Sequence, residues 1–236
     1  MSTPTRTPRA PSGTTTGSTP PPTRRSLRMQ AAVVAVSAGL LVGAALIFFF
    51  MNGSDRGSGS NPTTKSVSGE VELTLGGVNN ANAGTPAALG DDAASQIMEA
   101  VGQYVDKGLI APVKTGTPPA DVAGLFDGGT QAAIQGPDKD VLFENGTPRR
   151  TGTFKPTADP VLITALSDGN GQFVLATAAF NYRTEVGVEG GTMRTARTVA
   201  LTFAPDNGPW KITGYDVSLL REGAQVEGST TSEAKR

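Results

Sequence analysis

The sequence predicts an α+β protein with one transmembrane helix near its N-terminus, followed by helices packed on a bent antiparallel β-meander. Three observations predict this fold: an uncharged apolar run of 21 residues at Ala31–Met51, a helical repeat of apolar residues after Asp91, and alternation with period two after about residue 140. Helices followed by a series of hairpin-connected strands are typical of the α+β class.

The missing residue types exclude many chemistries. The 236 residues include no Cys and no His. Without Cys the chain has no disulfide, thiol nucleophile or thiolate zinc site. Without His it has no Ser-His-Asp triad and no imidazole metal ligand. We therefore expect no metal and no cofactor, and any catalysis would rest on carboxylate, Tyr or Lys side chains.

The charge is divided unevenly along the chain. Residues 1–51 carry five Arg and no acidic residue, whereas the rest of the chain carries 15 basic and 21 acidic side chains. A basic head separated from an acidic body by an apolar run is typical of a membrane protein rather than of a nucleic-acid-binding protein. We expect no nucleic acid among the partners.

The composition divides the chain into five segments. Residues 1–29, rich in Thr, Pro and Arg, hold too few apolar side chains to fold, so we expect a disordered cytoplasmic tail. The other predicted segments are a transmembrane helix at 30–51, a flexible linker at 52–90, an extracytoplasmic domain at 91–222 and a disordered tail at 223–236. Within the linker, alternation at Glu70–Leu75 predicts a short strand.

The apolar run has the length of a membrane span. A helix of 21 residues is about 31 Å long, which matches the hydrocarbon thickness of a bilayer. The side chains expected to anchor it are Ala31, Val36, Leu41, Leu46, Phe48, Phe49 and Phe50. Because Arg24, Arg25 and Arg28 flank its N-terminal end, the positive-inside rule predicts a single-pass protein of the cell membrane, with its N-terminus in the cytoplasm and its C-terminal domain outside.

A cleaved signal peptide is the alternative interpretation of this run. Its apolar region would be shorter, about 7–15 residues, and a small-x-small cleavage site would follow. The run instead ends in three Phe and a Met, which favours an uncleaved anchor. Within it, Ala35, Gly39 and Gly43 recur every four residues and form a face on which two helices could pair, so a homodimer is one hypothesis.

The helical repeat begins at Asp91. Its apolar residues share one face at spacings of three and four, namely Ala94, Ile97, Met98, Val101, Tyr104 and Val105. Asp91 is expected to cap this helix and Gly108 to end it. A second helical region is predicted from Thr117, with a break at Asp127–Gly129 and a short turn of helix before Gly136.

Segments with period two predict the sheet. A short strand is expected at Val141–Phe143, and longer ones at Val161–Ser167, Gln172–Val186, Thr192–Ala204 and Trp210–Arg221. The connections between the longer strands are short and rich in Asp, Asn and Gly, which is typical of hairpin turns. These strands are therefore expected to form an antiparallel meander.

The last predicted strand contains a change of phase. Trp210 and Ile212 share one face, but the apolar residues from Tyr215 onward would fall on the opposite face if the alternation were strict. Gly214 lies between them, and glycine is favoured in the β-bulges that restore the phase. We predict a bulge at Gly214 and a Trp210 side chain that anchors the core rather than binds a ligand.

The segment WKITGYDV at 210–217, which follows a polar turn and closes a sheet preceded by helices, resembles the nuclear transport factor 2-like superfamily. The resemblance covers about Asp91–Glu222. It implies a cone-shaped fold shared with ketosteroid-isomerase-like and polyketide-cyclase-like domains. Domains of this kind occur outside the membrane in single-span envelope proteins of high-GC Gram-positive bacteria.

The resemblance implies that any chemistry takes place inside the cone, where a carboxylate and a Tyr would have to converge. The candidates for such a pocket are Tyr104, Tyr182, Trp210 and Tyr215, with Asp216 or Glu185 as the carboxylate. Asp216 directly follows Tyr215 in a strand, so their side chains should point to opposite faces. Glu185 is expected on a solvated face. We therefore assign no catalytic residue.

Two functions remain. We expect a non-catalytic, membrane-tethered, extracytoplasmic module of the cell envelope, whose partners are the lipid bilayer and an envelope protein. The alternative is a small-molecule-binding or ketosteroid-isomerase-like pocket. An open cavity with a buried carboxylate near a Tyr favours the pocket. A cone filled by aromatic side chains favours the interaction module, and the residues that would fill it are Phe126, Phe143, Phe173, Phe180 and Trp210.

Overall fold

A large mixed β-sheet forms the framework of the protein in the computed structural model. The structure describes residues 64–67, 69–82, 89–119, 121–145, 147–224, 226 and 230–236. All of them belong to one unit, Ser54–Arg236. About half of the described residues lie in strands and about a quarter in helices.

Eight strands are found in this part of the chain. They are β1 Thr64–Val67, β2 Val71–Asn80, β3 Arg150–Ala158, β4 Val161–Ser167, β5 Phe173–Val188, β6 Gly191–Pro205, β7 Trp210–Gly223 and β8 Thr230–Lys235. Their order is β1-β2-β4-β5-β6-β7-β8, and β3 also pairs with β5. The β2–β4 pair is parallel, and the other pairs are antiparallel.

The helices lie between β2 and β3 in the chain and contact β1, β2, β7 and β8. They are α1 Asp91–Gln103, a π-helical segment Tyr104–Ile110, α2 Ala111–Thr115, a 3₁₀ turn Ala123–Leu125, α3 Gly128–Ile134 and α4 Lys139–Leu142. The segment from α1 to α2 runs without a break and ends at Gly116, whose φ of +68° is the left-handed conformation that glycine favours at a helix C-terminus.

The core lies between these helices and the inner face of the sheet. Inner-face side chains such as Ala178, Phe180, Val199 and Leu201 are at most 5% exposed, and the six apolar residues predicted for one face of α1 are all buried. Burial of a large apolar side chain contributes about 1.5–3 kcal/mol. This shared apolar face therefore holds α1 against the sheet.

The predicted meander is confirmed. The four longer strands appear as β4 to β7, each pairing antiparallel with the next. The bounds of β4 are those predicted, and β7 extends to Gly223. Alternation was a reliable signal here because one face of these strands is buried and the other is not.

The predicted bulge is confirmed as well. The register of β7 against β6 skips one residue, Thr213, between Ile212 and Gly214. Ile212 and Tyr215 are consequently both buried. A methyl group on Gly214 would lie 2.9 Å from the carbonyl oxygen of Arg236, so the end of the chain closes against the bulge.

The predicted α+β class is wrong. The described part of the chain is mainly β, its helices are short, and its sheet is mixed because β2 runs parallel to β4. The strands that were not predicted, β1, β3 and β8, lie at the margins of the sheet. Marginal strands are held largely by backbone pairing, so they need no strict alternation of apolar residues.

The predicted linker at 52–90 and the predicted tail at 223–236 both contain strands. The predicted linker includes β1 and β2, and β2 continues past Leu75 through the segment expected to be linker, as far as Asn80. The predicted tail includes β8, where Ala234 is 2% exposed and pairs with Val217. The sheet therefore extends beyond 91–222 at both ends.

Several helix boundaries also differ from the predictions. Gly108 lies inside the π-helical segment rather than after a helix. A side chain at this position would meet Phe143 at 2.9 Å. Gly90, not Asp91, precedes α1, and it forms no side-chain cap. Asp127 caps α3 with its side chain: its carboxylate accepts a hydrogen bond from the Thr130 amide at 2.8 Å.

Two further elements are corrected. The helical region predicted from Thr117 is reduced to the 3₁₀ turn Ala123–Leu125, since two prolines follow Thr117. The strand predicted at Val141–Phe143 is largely helical and belongs to α4. Three apolar residues in a row do not distinguish a buried strand from a buried helical turn.

The membrane predictions are contradicted. Among the described residues, no helix combines the length and the apolar character needed to cross a bilayer. The longest α-helix there, α1, has 13 residues and begins with two Asp, so it spans about 20 Å of the roughly 30 Å required. We therefore correct the transmembrane, single-pass and cell-membrane predictions. The predicted span Ala31–Met51, its pairing face and its flanking Arg residues lie outside the described residues.

The close approach of β3 to β5 can be tested at Gly187. A methyl group there would lie 2.9 Å from the Cα of Gly152 and 3.1 Å from the amide nitrogen of Thr153. Both are backbone atoms, which cannot rotate out of the way as a side chain can. We predict that Gly187→Ala lowers the free energy of unfolding by about 1–3 kcal/mol in a denaturant titration.

Gly169→Ala is the control, since no atom lies within 4 Å of the added methyl group in the β4–β5 turn. It should change the free energy of unfolding by less than about 0.5 kcal/mol. Equal effects of the two substitutions would contradict the close approach.

Candidate functional site

A charged side chain on the buried face of β6 is the starting point of the candidate site. Arg197 has the same phase as Val199 and Leu201 and is 1% exposed. A guanidinium without partners in such a place would be very costly. Its position therefore requires a carboxylate and further hydrogen-bond acceptors.

Glu144, which follows α4, supplies the carboxylate. It is 2% exposed, and its Oε1 atom forms a salt bridge with Nη1 of Arg197. Arg197 also donates from Nε to the carbonyl oxygen of Val141 and from Nη2 to that of Phe143, both at 3.2 Å. Carbonyl groups at a helix C-terminus lack partners within the helix, so Arg197 also completes the end of α4.

Glu144 has further partners on both oxygens. Thr147 donates to Oε2, Thr195 donates to Oε1 at 3.3 Å, and Arg221 donates to Oε2 at 3.3 Å. The side chain of Arg221 is 21% exposed, so it links the buried pair to the surface. One buried carboxylate thus lies between two guanidinium groups.

This surrounding keeps Glu144 ionised. Burial would raise its pKa, but the charge and hydrogen bond of Arg197, the hydrogen bond of Thr147 and the charge of Arg221 together lower the pKa to about 2. A carboxylate with so low a pKa is a weak base at neutral pH. The arrangement is suited to holding the fold rather than to proton transfer.

The tyrosines next to this pair are also buried. The Tyr104 hydroxyl donates to the carbonyl oxygen of Leu142 at 2.6 Å. Tyr182 is the register partner of Arg197 on β5, and its hydroxyl has no hydrogen-bond partner among the described residues. Burial raises the pKa of both phenols, and the charge of Glu144 raises them further.

The other two pocket candidates lie apart from the pair. Tyr215 is 2% exposed and donates to Oδ2 of Asp138 at 2.6 Å. Burial and this hydrogen bond raise the pKa of Tyr215. Trp210 is half-buried at the start of β7 and packs against the core. The structure therefore does not bring the four candidates together around an open space.

Aromatic side chains fill the space between the helices and the sheet. Phe126 forms edge-to-face contacts with Phe143 and Tyr215, with ring centres 6.2 and 6.5 Å apart, and Tyr104 lies 6.1 Å from Phe143. Phe126, Phe143 and Phe180 are buried. Of the residues named in the sequence analysis as filling the interior, Phe173 and Trp210 are partly buried against this core.

The two carboxylates considered with the tyrosines lie on the outer face of the sheet. Asp216 pairs with Lys235 at 2.9 Å, and Glu185 pairs with Arg194 at 3.4 Å. Neither converges with a tyrosine hydroxyl in the described structure. The described residues also include no group of three or more acidic side chains placed to hold a metal ion.

Sequence reasoning missed Glu144 and Arg197, although one signal was available. Arg197 falls on the same alternating face as Val199, Leu201 and Phe203, so a strand buried on that face places a guanidinium in the core. The sequence alone did not indicate which acidic residue would meet it, because Glu144 lies 53 positions earlier in an irregular segment.

The described residues form at least two open grooves at the surface. The first, named here the basic groove, has a volume of about 420 Å³ and is lined by residues 113–116 and 149–152. The second, named the outer-face groove, has a volume of about 410 Å³. Its outward-pointing side chains come from β3, β5, β6 and β7 and are Lys155, Thr157, Arg183, Glu185, Arg194, Ala196, Leu220 and Glu222.

Comparison of the chain with protein-family models, with curated proteins and with solved structures gave no match. The resemblance to the nuclear transport factor 2-like superfamily therefore stays a prediction from the sequence.

The buried pair makes a prediction for stability. Removing one partner leaves an uncompensated charge in the core, so Glu144→Gln and Arg197→Met should each lower the free energy of unfolding by about 3–5 kcal/mol. The double variant should lose clearly less than the sum of these two effects. Denaturant unfolding of the four proteins measures the difference. Additive effects below about 1 kcal/mol each would contradict a closed, charged core.

The same pair predicts how stability depends on pH. Glu144 has a folded-state pKa of about 2, below its ordinary value of 4.5. Its stabilisation is therefore present above about pH 4.5 and is lost as the pH falls through about 2. Acid titration of the unfolding free energy should show this loss in the native protein and a smaller one in the Glu144→Gln/Arg197→Met variant. Parallel curves would contradict the prediction.

Proposed function

We propose that the protein is a non-catalytic interaction module that binds a partner protein through the outer face of its sheet. The observation that supports this proposal is the filled interior. Its ionisable groups are neutralised by one another, and aromatic rings occupy the space in which a ligand would bind. Recognition is therefore assigned to the outside of the molecule.

The outer face offers a broad surface of small side chains. Thr164, Thr177 and Thr202 form one row across β4, β5 and β6, and all three are partly exposed. A parallel row across β5, β6 and β7 consists of Asn181, Thr198 and Ser218. Short side chains on adjacent strands leave a flat surface that a folded partner can approach closely.

The two ends of the outer face differ in character. Leu166, which is 36% exposed, lies next to Leu175 at the end near the β4–β5 turn. At the other end a row of register partners alternates in sign, with Lys155, Glu185, Arg194 and Glu222 on β3, β5, β6 and β7. The outer face thus has an apolar end and a charged end, and protein interfaces likewise combine apolar and polar areas. The charged row would fix the orientation of the partner more than its affinity.

The small-molecule alternative receives less support. It required an open cavity with a carboxylate near a tyrosine, and the carboxylate near Tyr104 and Tyr182 is Glu144, which is enclosed and paired with Arg197. Both hydroxyl groups are enclosed as well, since Tyr104 and Tyr182 are 0% exposed. We therefore keep the interaction module as the proposed function.

The proposal can be tested by photo-crosslinking from the outer face. A photoreactive amino acid at Thr177, introduced into the full chain in cells that produce it, should capture a partner protein. The same group at the exposed residue Gln135, next to α3 on the helical side, should not. The captured partner is then purified, and its affinity for two variants is measured.

Thr177→Arg should weaken binding of that partner by at least about tenfold, because a long charged side chain would stand in a flat interface. Gln135→Arg should leave the affinity within about twofold. Unchanged affinity of Thr177→Arg would overturn the proposal. If the group at position 177 captured a second copy of the chain, we would conclude that the outer face forms a homodimer instead of binding another protein.

A further inference from the structure

The basic groove lies where the end of α2 approaches the start of β3. One wall consists of Val113–Gly116, and the other of Arg149–Gly152. Lys114 lies on the first wall, whereas Arg149 and Arg150 lie on the second and are exposed. Cationic side chains therefore face the groove from both sides.

A bulge in β3 shapes the second wall. Arg150 pairs with Val188 and Phe154 pairs with Val186, so three residues, 151–153, lie opposite the single residue Gly187. Extra residues bend a strand and change the direction of its side chains, and bulges are frequent beside functional sites. The bulge also leaves residues 151–153 without a register partner on β5.

Arg150 is held in place at this bulge. Its Nε atom donates to the carbonyl oxygen of Gly152 at 2.7 Å, and its guanidinium carbon lies 5.7 Å from the centre of the Phe154 ring. Both contacts fix the plane of the guanidinium. A fixed guanidinium loses little conformational freedom when it pairs with a carboxylate.

A carboxylate of this chain already pairs with one of the cations that line the groove. Glu70 accepts from Lys114 at 2.8 Å. The hydrogen bond and charge of Lys114, together with the charge of Arg150, lower the pKa of Glu70. Glu70 therefore balances Lys114, and Arg149 and Arg150 are the cations of the groove that it leaves for a ligand.

From these features we propose that the basic groove binds an acidic segment of a protein, in an extended conformation and with at least two carboxylates. The groove has a volume of about 420 Å³, within the range of about 300–1,000 Å³ of ligand sites, which is more than a single small anion needs. Arg149 and Arg150, which follow each other on the second wall, can each pair with one carboxylate of such a segment. This site is separate from the outer face and does not depend on the proposed function.

The probe is a fluorescein-labelled peptide of about six residues, roughly 20 Å when extended, with alternating Glu and Gly. Its binding to the full chain is followed by fluorescence anisotropy. The reference peptide has Gln in place of each Glu. We expect the Glu peptide to bind at least about tenfold more tightly than the Gln peptide, and to weaken as ionic strength rises from about 50 to 300 mM.

Two variants assign the binding to the groove. Arg149→Gln/Arg150→Gln should weaken binding of the Glu peptide by at least about tenfold. Lys107→Gln/Lys139→Gln removes the same charge from residues that do not line the groove, and it should change the affinity by less than about twofold. Arg149→Gln alone should have an intermediate effect, and circular dichroism confirms that each variant is folded.

Three results would overturn the proposal. Equal losses in the two double variants would mean that the peptide senses only net charge. Equal binding of the Glu and Gln peptides would show that carboxylates are not recognised. If inorganic phosphate displaced the Glu peptide from the groove at an equal concentration, the groove would be a simple anion site. None of these results would affect partner binding at Thr177, which tests the outer face separately.

Discussion

A guanidinium enclosed in a protein is stable only if the surrounding chain supplies charge and hydrogen bonds to replace water. Arg197 imposes this requirement on the whole fold. Its carboxylate partner, Glu144, and its two carbonyl acceptors come from the end of α4 and the segment that follows it. Because Arg197 lies on β6, one side chain ties the helical segment to the centre of the sheet.

The arrangement of the interior follows from this pair. The Tyr104 hydroxyl donates a hydrogen bond to the carbonyl oxygen of Leu142 in α4. Tyr182 is the register partner of Arg197 between β5 and β6. The amide of Glu144 donates to the carbonyl oxygen of Gly108 at 2.9 Å. This bond ties the segment after α4 to the π-helical segment, where only a residue without a side chain fits against Phe143. Charge, aromatic packing and one glycine contact thus depend on each other.

Because the interior is closed, we propose that the function lies at the surface. Paired charges and packed rings leave the inside without an accessible acid, base or cavity among the described residues. The outer face of the sheet and the basic groove remain, and they differ in chemistry. The outer face carries rows of Thr and a row of charges that alternate in sign, whereas the basic groove is cationic. None of the outer-face residues named above lines the basic groove, so the two proposed ligands would not compete for the same residues.

The sequence predicted those parts of the fold that alternation controls. The meander from Val161 to Arg221, the buried face of the first helix and the bulge near Gly214 followed from spacing alone. The marginal strands did not, because Thr64–Val67 and Thr230–Lys235 pair through backbone groups that any sequence carries. The parallel pairing of β2 with β4 joins segments about 85 residues apart, and no local pattern encodes such a pairing.

The candidate site shows the same limit. Arg197 could be placed in the core from its phase along β6, but its partner could not, since Glu144 is brought there by tertiary structure. The tyrosines predicted as pocket candidates are buried in the core. Residue type alone does not tell a tyrosine that packs from one that reacts, because the two differ in access to solvent and not in sequence.

The claim of a closed interior is tested most directly by ultraviolet titration of the tyrosines. The chain has three, Tyr104, Tyr182 and Tyr215, and burial raises the pKa of each. Raised values favour the neutral phenol in the folded state, so this part of the stability is lost as the pH rises above about 10. The native protein should show no tyrosinate absorbance near pH 10, where a denatured sample is about half ionised, and absorbance should appear only as the protein unfolds. A tyrosine that ionises near pH 10 in the native protein would contradict the closed interior.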